Sequence, residues 1–210
     1  MIKGGIVLVD PTTGGVLRVI PLQYNPETLS RTLQVQGVGS DSGPHVDQLR
    51  LKGPPIETIK LETEIDAADL LEKPRQNPSA VQSGIGPLLA ALELIIYPTS
   101  TQLQTANNNA QSGTLEIIPM DAPLALFVWS KYRIVPVRVT EFSITEEMFD
   151  SALNPIRAKV SLGMRVLTID DVTYSSTGGS IYMAYLQQKE RLAQSVAGGR
   201  LSALGIGSIP

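Results

Sequence analysis

Val19-Ile20-Pro21-Leu22-Gln23-Tyr24-Asn25-Pro26-Glu27-Thr28-Leu29-Ser30-Arg31 runs an apolar strand into a polar turn and out again into a second strand. Asn25 has a short side chain suited to bonding its own backbone, and Pro26 fixes φ at the next position. Glu27, Thr28 and Ser30 supply oxygens for loose amides. The stretch predicts a corner between two strands, and the role it suggests for these residues is structural, not catalytic.

The chain on either side repeats the strand theme. Segments 6–10 and 16–24 flank Pro11-Thr12-Thr13-Gly14-Gly15, whose proline and paired glycines predict a β-hairpin. Past the corner, Leu29, Leu33 and Val35 alternate with Ser30, Thr32, Gln34 and Gln36, which reads as a strand with one wet face. Residues 37–49 lose periodicity and read as a loop. Between 59 and 66, Ile59, Leu61, Thr63 and Ile65 form a dry face against Lys60, Glu62, Glu64 and Asp66. A short helical turn is expected over 67–73, ended by Pro74, Asn77 and Pro78. Pro87 opens a helix over 86–97, apolar nearly all round and so expected to be buried, and residues 99–113 read as a flexible polar loop.

Three more strands are expected at 114–118, 124–129 and 134–144. In the last, apolar parity shifts from Val135, Val137 and Val139 to Phe142 and Ile144, predicting a β-bulge. Ala158, Val160, Leu162, Met164 and Val166 mark a final strand. The expected division is a β domain over 1–171 and a C-terminal helix with glycine-rich tail over 172–210. In the second part Thr177-Gly178-Gly179 reads as a hinge and Ser180 as a helix cap. The first turns of that helix, with Ile181 and Tyr185, are apolar on more than one side and are expected to dock on a neighbouring protein.

Composition agrees with a β-rich chain. Of 210 residues, 5% are aromatic and 18% charged, and 15 prolines with 18 glycines supply turns. A net charge of −3 with no basic run argues against a grip on nucleic acid or an anionic membrane. No apolar run reaches the roughly 18 residues of a membrane helix. Zero cysteine removes disulfides, thiol nucleophiles and thiolate metal sites, and with the short N-terminal apolar run it suits a protein made and kept in the cytoplasm.

Catalytic constellations are hard to assemble. His45 is the single histidine and lies in the least patterned loop, whereas acid–base work needs a rigidly placed group. Glu62, Glu64 and Asp66 share one strand face about 7 Å apart, and Glu146, Glu147, Asp150, Asp170 and Asp171 form other clusters. On an outward face such charge keeps a sheet wet, and none of the clusters has EF-hand spacing. A carboxylate-dependent hydrolase remains as a remote alternative. Gly37, Gly39 and Gly43 miss the dinucleotide fingerprint, and Trp129, at the end of an apolar strand, suits a core or subunit contact.

The corner Tyr24-Asn25-Pro26-Glu27-Thr28-Leu29-Ser30-Arg31 resembles a signature near the N-terminus of the tube-like baseplate proteins of contractile injection systems and contractile phage tails. Further likeness lies in the 59–66 strand, the 86–97 helix, Pro123-Leu124-Ala125-Leu126-Phe127-Val128-Trp129-Ser130, and Phe149 with Asn154-Pro155-Ile156-Arg157-Ala158-Lys159-Val160. Ser130 and Leu153-Asn154 stand where the family pattern has glycines, and a helix and glycine-rich tail stand where many members continue into a LysM module. The resemblance implies a β-rich α+β fold: a tail-tube-like split β-barrel or two packed antiparallel sheets, with one buried helix and a C-terminal helical tail. It implies a non-enzymatic baseplate protein forming a hexameric ring that links the spike hub to the inner tube and initiates tube assembly, or else an inner tube subunit. Expected partners are its own copies, the inner tube protein, the spike or hub protein and other baseplate proteins, without nucleic acid, membrane insertion or cofactor. Its place would be a phage tail-like particle assembled in the cytoplasm. Interface candidates are Tyr24, Asn25, Pro26, Glu27, Ser30, Trp129, Phe149, Pro155, Arg157, Ala158, Ile181 and Tyr185.

Overall fold

The computed structural model describes residues 2–37, 50–111, 122–196, 198–199 and 201–209. His45, most of the 37–49 loop and the strand expected at 114–118 lie outside them. The strands are β1 (Gly5–Val9), β2 (Val16–Pro21), β3 (Leu29–Gln34), β4 (Ile56–Asp66), β5 (Leu124–Ser130), β6 (Arg133–Phe149) and β7 (Pro155–Val166). The helices are α1 (Ala68–Leu71), α2 (Pro78–Ser83), α3 (Gly86–Glu93), α4 (Ser100–Gln111) and α5 (Thr177–Gln194), followed by a 3₁₀ turn at Leu201–Leu204. The β-rich α+β class expected from the sequence is what the chain adopts.

All seven strands join one antiparallel sheet in the order β2-β1-β5-β6-β7-β4-β3. The expected hairpin is β1–β2. Its turn is held by Asp10, whose Oδ1 accepts from the amides of Thr12 (2.9 Å) and Thr13 (2.7 Å), and by Gly14 at φ +71°. The expected bulge is a register shift in β6 between Val139 and Glu141.

Strands β2 and β3 follow one another in sequence yet occupy opposite edges. A flat sheet would set its edges about 29 Å apart, six spacings of roughly 4.8 Å. The eight Cα steps from Pro21 to Leu29 reach that only when fully extended, at about 3.3–3.6 Å each. The connection bends at Gln23, Tyr24 and Glu27 instead of running straight, so the sheet curls. Its concave face carries one continuous core: Ile6 and Leu8, Ile20, Ile59, Leu61 and Ile65, Phe127, Val135 and Val137, and Ala158 to Val166 on alternate positions. Ile85, Leu89 and Leu92 from α3 and its approach, and Tyr182 and Tyr185 from α5, join the same cluster.

Several expectations are corrected here. The β4 strand begins at Ile56, three residues early, which brings Glu57 onto the core face. Helix α2 forms where only a break was expected, with Pro78 at its start supplying a pre-set φ. Helix α3 ends at Glu93, short of the expected 97, and is not buried all round: Leu89 and Leu92 face the core while Leu88 is exposed, as are Leu94 and Ile96 beyond its end. The polar loop expected after Thr99 is helix α4. Thr99 and Gln102 form a reciprocal capping box, the Gln102 amide donating to Thr99 Oγ1 at 3.2 Å and Gln102 Oε1 accepting from the Thr99 amide at 2.9 Å. Thr177-Gly178-Gly179 is no hinge but the first turn of α5, capped by Ser176 instead of Ser180, its Oγ accepting from the Gly179 amide at 3.1 Å. Both glycines are buried, and a Cβ on Gly179 would come 2.5 Å from the Thr173 carbonyl oxygen.

Gly84, between α2 and α3, has φ +57° and ψ −131°, and a Cβ there would collide with the Pro155 carbonyl oxygen. That carbonyl accepts the Ile85 amide at 2.9 Å, locking α3 to the start of β7. Gly84→Ala must break this contact and strain the backbone, and we expect it to cost about 3 kcal/mol or more. Thermal melting reads the loss; a melting temperature equal to wild type would show that the α2–α3 junction gives way freely.

Candidate interaction site at the corner and the sheet edges

The corner is tied into three elements. Leu22 donates its amide to the Gly4 carbonyl at 2.9 Å, which carries the β1–β2 pairing past β2 and places residues 2–4 beside Asn25. Asn25 Oδ1 accepts from the Gly4 amide and Asn25 Nδ2 donates to the Ile2 carbonyl, both at 2.9 Å. The side chain was expected to bond its own backbone; it staples the N-terminal segment instead. Gln23 makes a two-point contact with the backbone of Asp66, donating from Nε2 at 2.6 Å and accepting at Oε1 at 3.0 Å. Thr63 Oγ1 donates to the Tyr24 carbonyl at 3.0 Å, and the Tyr24 hydroxyl reaches Asp69 at 3.4 Å. Gln23 carried no sequence signal, because its partner is a backbone amide 43 positions away. Pro26 is half-buried, and Glu27 and Ser30 face solvent.

A groove of about 610 Å³ lies between this corner and the outer face of β4 and β7, lined by Tyr24, Asn25, Pro26, Glu27, Glu62, Glu64, Asp66 and Lys159 among others. Here the side chains of the corner and of the acidic strand face one another. Two of its four carboxylates are bridged by Arg157, Asp66 at 2.6 Å and Glu64 at 3.1 Å, and Lys159 on its wall pairs with Glu147 (3.1 Å). Lys60 pairs with Glu141 (2.7 Å) across β7, over Gly163, where a Cβ would come 2.9 Å from the Glu141 side chain. Glu62 and Glu64 lie on the exposed face, as expected. Asp66 does not; it is buried, its Oδ1 accepting the Ala68 amide at 2.7 Å at the start of α1. Desolvation pushes its carboxyl upward, but the Ala68 amide and Arg157 outweigh it and hold the group below its ordinary range. That is the opposite of the raised pKa a general acid needs.

The remaining candidates separate. Ala158 is fully buried in the core, and the Pro155 carbonyl anchors α3. Trp129 packs against the core and stacks on Phe127 with centroids 5.9 Å apart, lying close over Gly4. Phe149 is half exposed beside the turn 150–154, where Asp150 accepts from the amides of Ala152 and Asn154, both at 2.8 Å. Met148 (φ +54°), near the end of β6, and Leu153 (φ +65°), in this turn, hold the left-handed backbone that glycine adopts without strain. Ile181 packs with the Val9, Leu124 and Leu126 cluster and Tyr185 in the main core. The first turns of α5 therefore dock on their own sheet, correcting the expectation of an outside partner.

Sequence reasoning missed Glu57. It is 3% exposed, and Arg31 (2.6 Å), Lys189 (3.0 Å) and the Tyr185 hydroxyl (3.1 Å) converge on its carboxylate. Burial raises its pKa, but the hydrogen bonds and charges of Lys189 and Arg31 win and hold it below the usual carboxylate range. At the two rims of the sheet, β2 exposes Val16 (65%), Leu17 (60%) and Val19 (61%), and β3 is exposed at all positions but Leu29 and Arg31. Neither edge has a strand partner beyond it among the described residues. Among them, too, no group of acidic or histidine side chains is arranged to hold a metal ion, and no helix is long and apolar enough to cross a membrane.

No family model matches the chain. No curated protein matches it either. A chain of a solved structure, "Tail of empty GTA particle computed with helical refinement, C6 symmetry", aligns over 78% of this chain and 90% of its own length, at 13% identity and a TM-score of 0.30.

Two outcomes follow from this geometry. Asn25→Ala removes both bonds to residues 2–4 and should cost roughly 1 kcal/mol in denaturant unfolding, with faster amide exchange at Gly4; an unchanged Gly4 amide would mean the staple holds nothing. Glu57 and Asp66, both with lowered folded pKa, contribute stability that is complete above their unfolded values near 4 and lost as pH falls through the folded values. Wild-type melting temperature should therefore fall on acidification below about pH 5. Glu57→Gln should start lower at neutral pH and fall less steeply, and parallel curves for the two proteins would exclude Glu57 as a source of the acid limb.

Proposed function

We propose that this chain is a structural, non-enzymatic subunit that closes into a ring through its two sheet edges, and that the ring is the baseplate adaptor of a contractile injection system, linking the spike hub to the inner tube and starting tube growth. The observation that carries the reading is the pair of open edges on one curled sheet: β2 with exposed Val16, Leu17 and Val19, and β3 with an almost wholly exposed strand. Free edges are a liability in a monomer, and proteins ordinarily blunt them with charge or cover; here β2 is apolar except for Arg18. Pro21, which lacks an amide, is tolerated at such an edge.

Seven antiparallel strands leave β2 and β3 running in the same direction. Rotation about a ring axis then brings β3 of one copy beside β2 of the next in a parallel joint, a heterologous contact that closes instead of growing without limit. Six copies and the hub and tube partners follow from the sequence resemblance at the Asn25-Pro26 corner. An inner tube subunit is the second reading, favoured by the same edges. Residues of the outer face, with their paired charges, are left as a wetted surface.

Leu17→Lys and Val19→Lys place charge on exposed positions of β2. Each should leave the melting temperature of the isolated chain near wild type while abolishing rings in negative-stain images and mass photometry. Rings formed at wild-type yield by the double variant would rule out β2 as a joint.

A further inference from the structure

Beyond its antiparallel ladder with β4, strand β3 has few side-chain anchors. Of its side chains only Leu29 and Arg31 are not exposed, and Leu29 packs only partly against the core. Arg31 therefore supplies the second tertiary anchor, reaching Glu57 on β4 through Nε (2.7 Å) and Nη2 (2.6 Å). The same carboxylate is gripped from the other side by α5. Tyr185 and Lys189, one helical turn apart and so on one face, donate to Glu57 at 3.1 and 3.0 Å. Arg31 Nη2 also donates to the Tyr185 hydroxyl at 3.2 Å, and Lys189 Nζ sits 4.2 Å from the centre of the Tyr185 ring. Three side chains from two elements thus converge on one buried acceptor of a third, β4.

We propose that helix α5 is a latch on the edge strand: by holding Glu57 through Tyr185 and Lys189, it fixes Arg31 and with it the position of β3, so that the edge is presented for pairing only while the helix is docked. The use of β3 for pairing rests on the ring reading above; the coupling between α5 and β3 does not. A carboxylate that loses one of two cations keeps a weaker hold on the other elements, because its remaining donors must reorganise to satisfy it. Loosening the helix and loosening the edge are then one event, a cooperative unit of the kind native-state exchange resolves.

The test is hydrogen exchange on the full chain. In Lys189→Met, amides of β3 (29–34) and of α5 (177–194) should exchange faster together, by about tenfold, while those of β7 (155–166) keep wild-type rates. Lys189→Arg should restore both, and Tyr185→Phe should repeat the paired loss more weakly. Faster exchange in α5 with β3 unchanged, or no change in either, overturns the latch. Ring yield measured on the same proteins is read separately: a wild-type chain that never forms rings defeats the ring reading, whereas the exchange result alone decides the coupling.

Discussion

The structure depends on one constraint of chain length. Two strands that are neighbours in sequence sit at opposite edges of a seven-stranded sheet, and residues 22–28 must join them. A short bent connection cannot cross a flat sheet of that width, so the sheet curls until both edges lie within its reach. From the curl follow the concave core, the two open rims and the meeting of the corner with the end of β4. Gln23, Tyr24 and Asn25 are the points at which the strap is fastened to the backbone of Asp66, to Thr63 and to the N-terminal segment.

The sheet's two faces divide the polar chemistry. On the convex side, charges pair along and across β6, β7 and β4, each pair part-exposed and worth little alone. On the core side the carboxylate of Glu57 is buried with two cations and a hydroxyl. Burial of one charge without its partners costs several kcal/mol, so Glu57 must be met by both β3 and α5. The C-terminal helix, which its apolar first turns suggested was seeking a partner, finds that partner in its own chain.

Strand-level structure was legible wherever alternation was clean. The 59–66 and 158–166 segments, the hairpin at Pro11 to Gly15 and the parity shift that marks the β6 bulge all express local rules of period and turn chemistry. Helix α4 was legible too, had Thr99-Ser100-Thr101-Gln102 been read as a capping box instead of its asparagine run as a loop. Gly178 and Gly179 misled because glycine's freedom serves close packing, here against the Thr173 and Tyr174 carbonyls, as readily as it serves a hinge.

What the sequence determined by itself was the seven described strands and the corner, since each is written in residues close together along the chain. Tertiary structure alone decided the partners of side chains whose mates are distant: Asn25 with residues 2–4, Gln23 with Asp66, Arg31 and Lys189 with Glu57. No periodicity encodes these contacts. The last three exist because the curl brings a seven-residue strap, an edge strand and a C-terminal helix onto the same strand, β4, and a lone Gln or Glu in the sequence carries no mark of which backbone amide or cation will be folded against it.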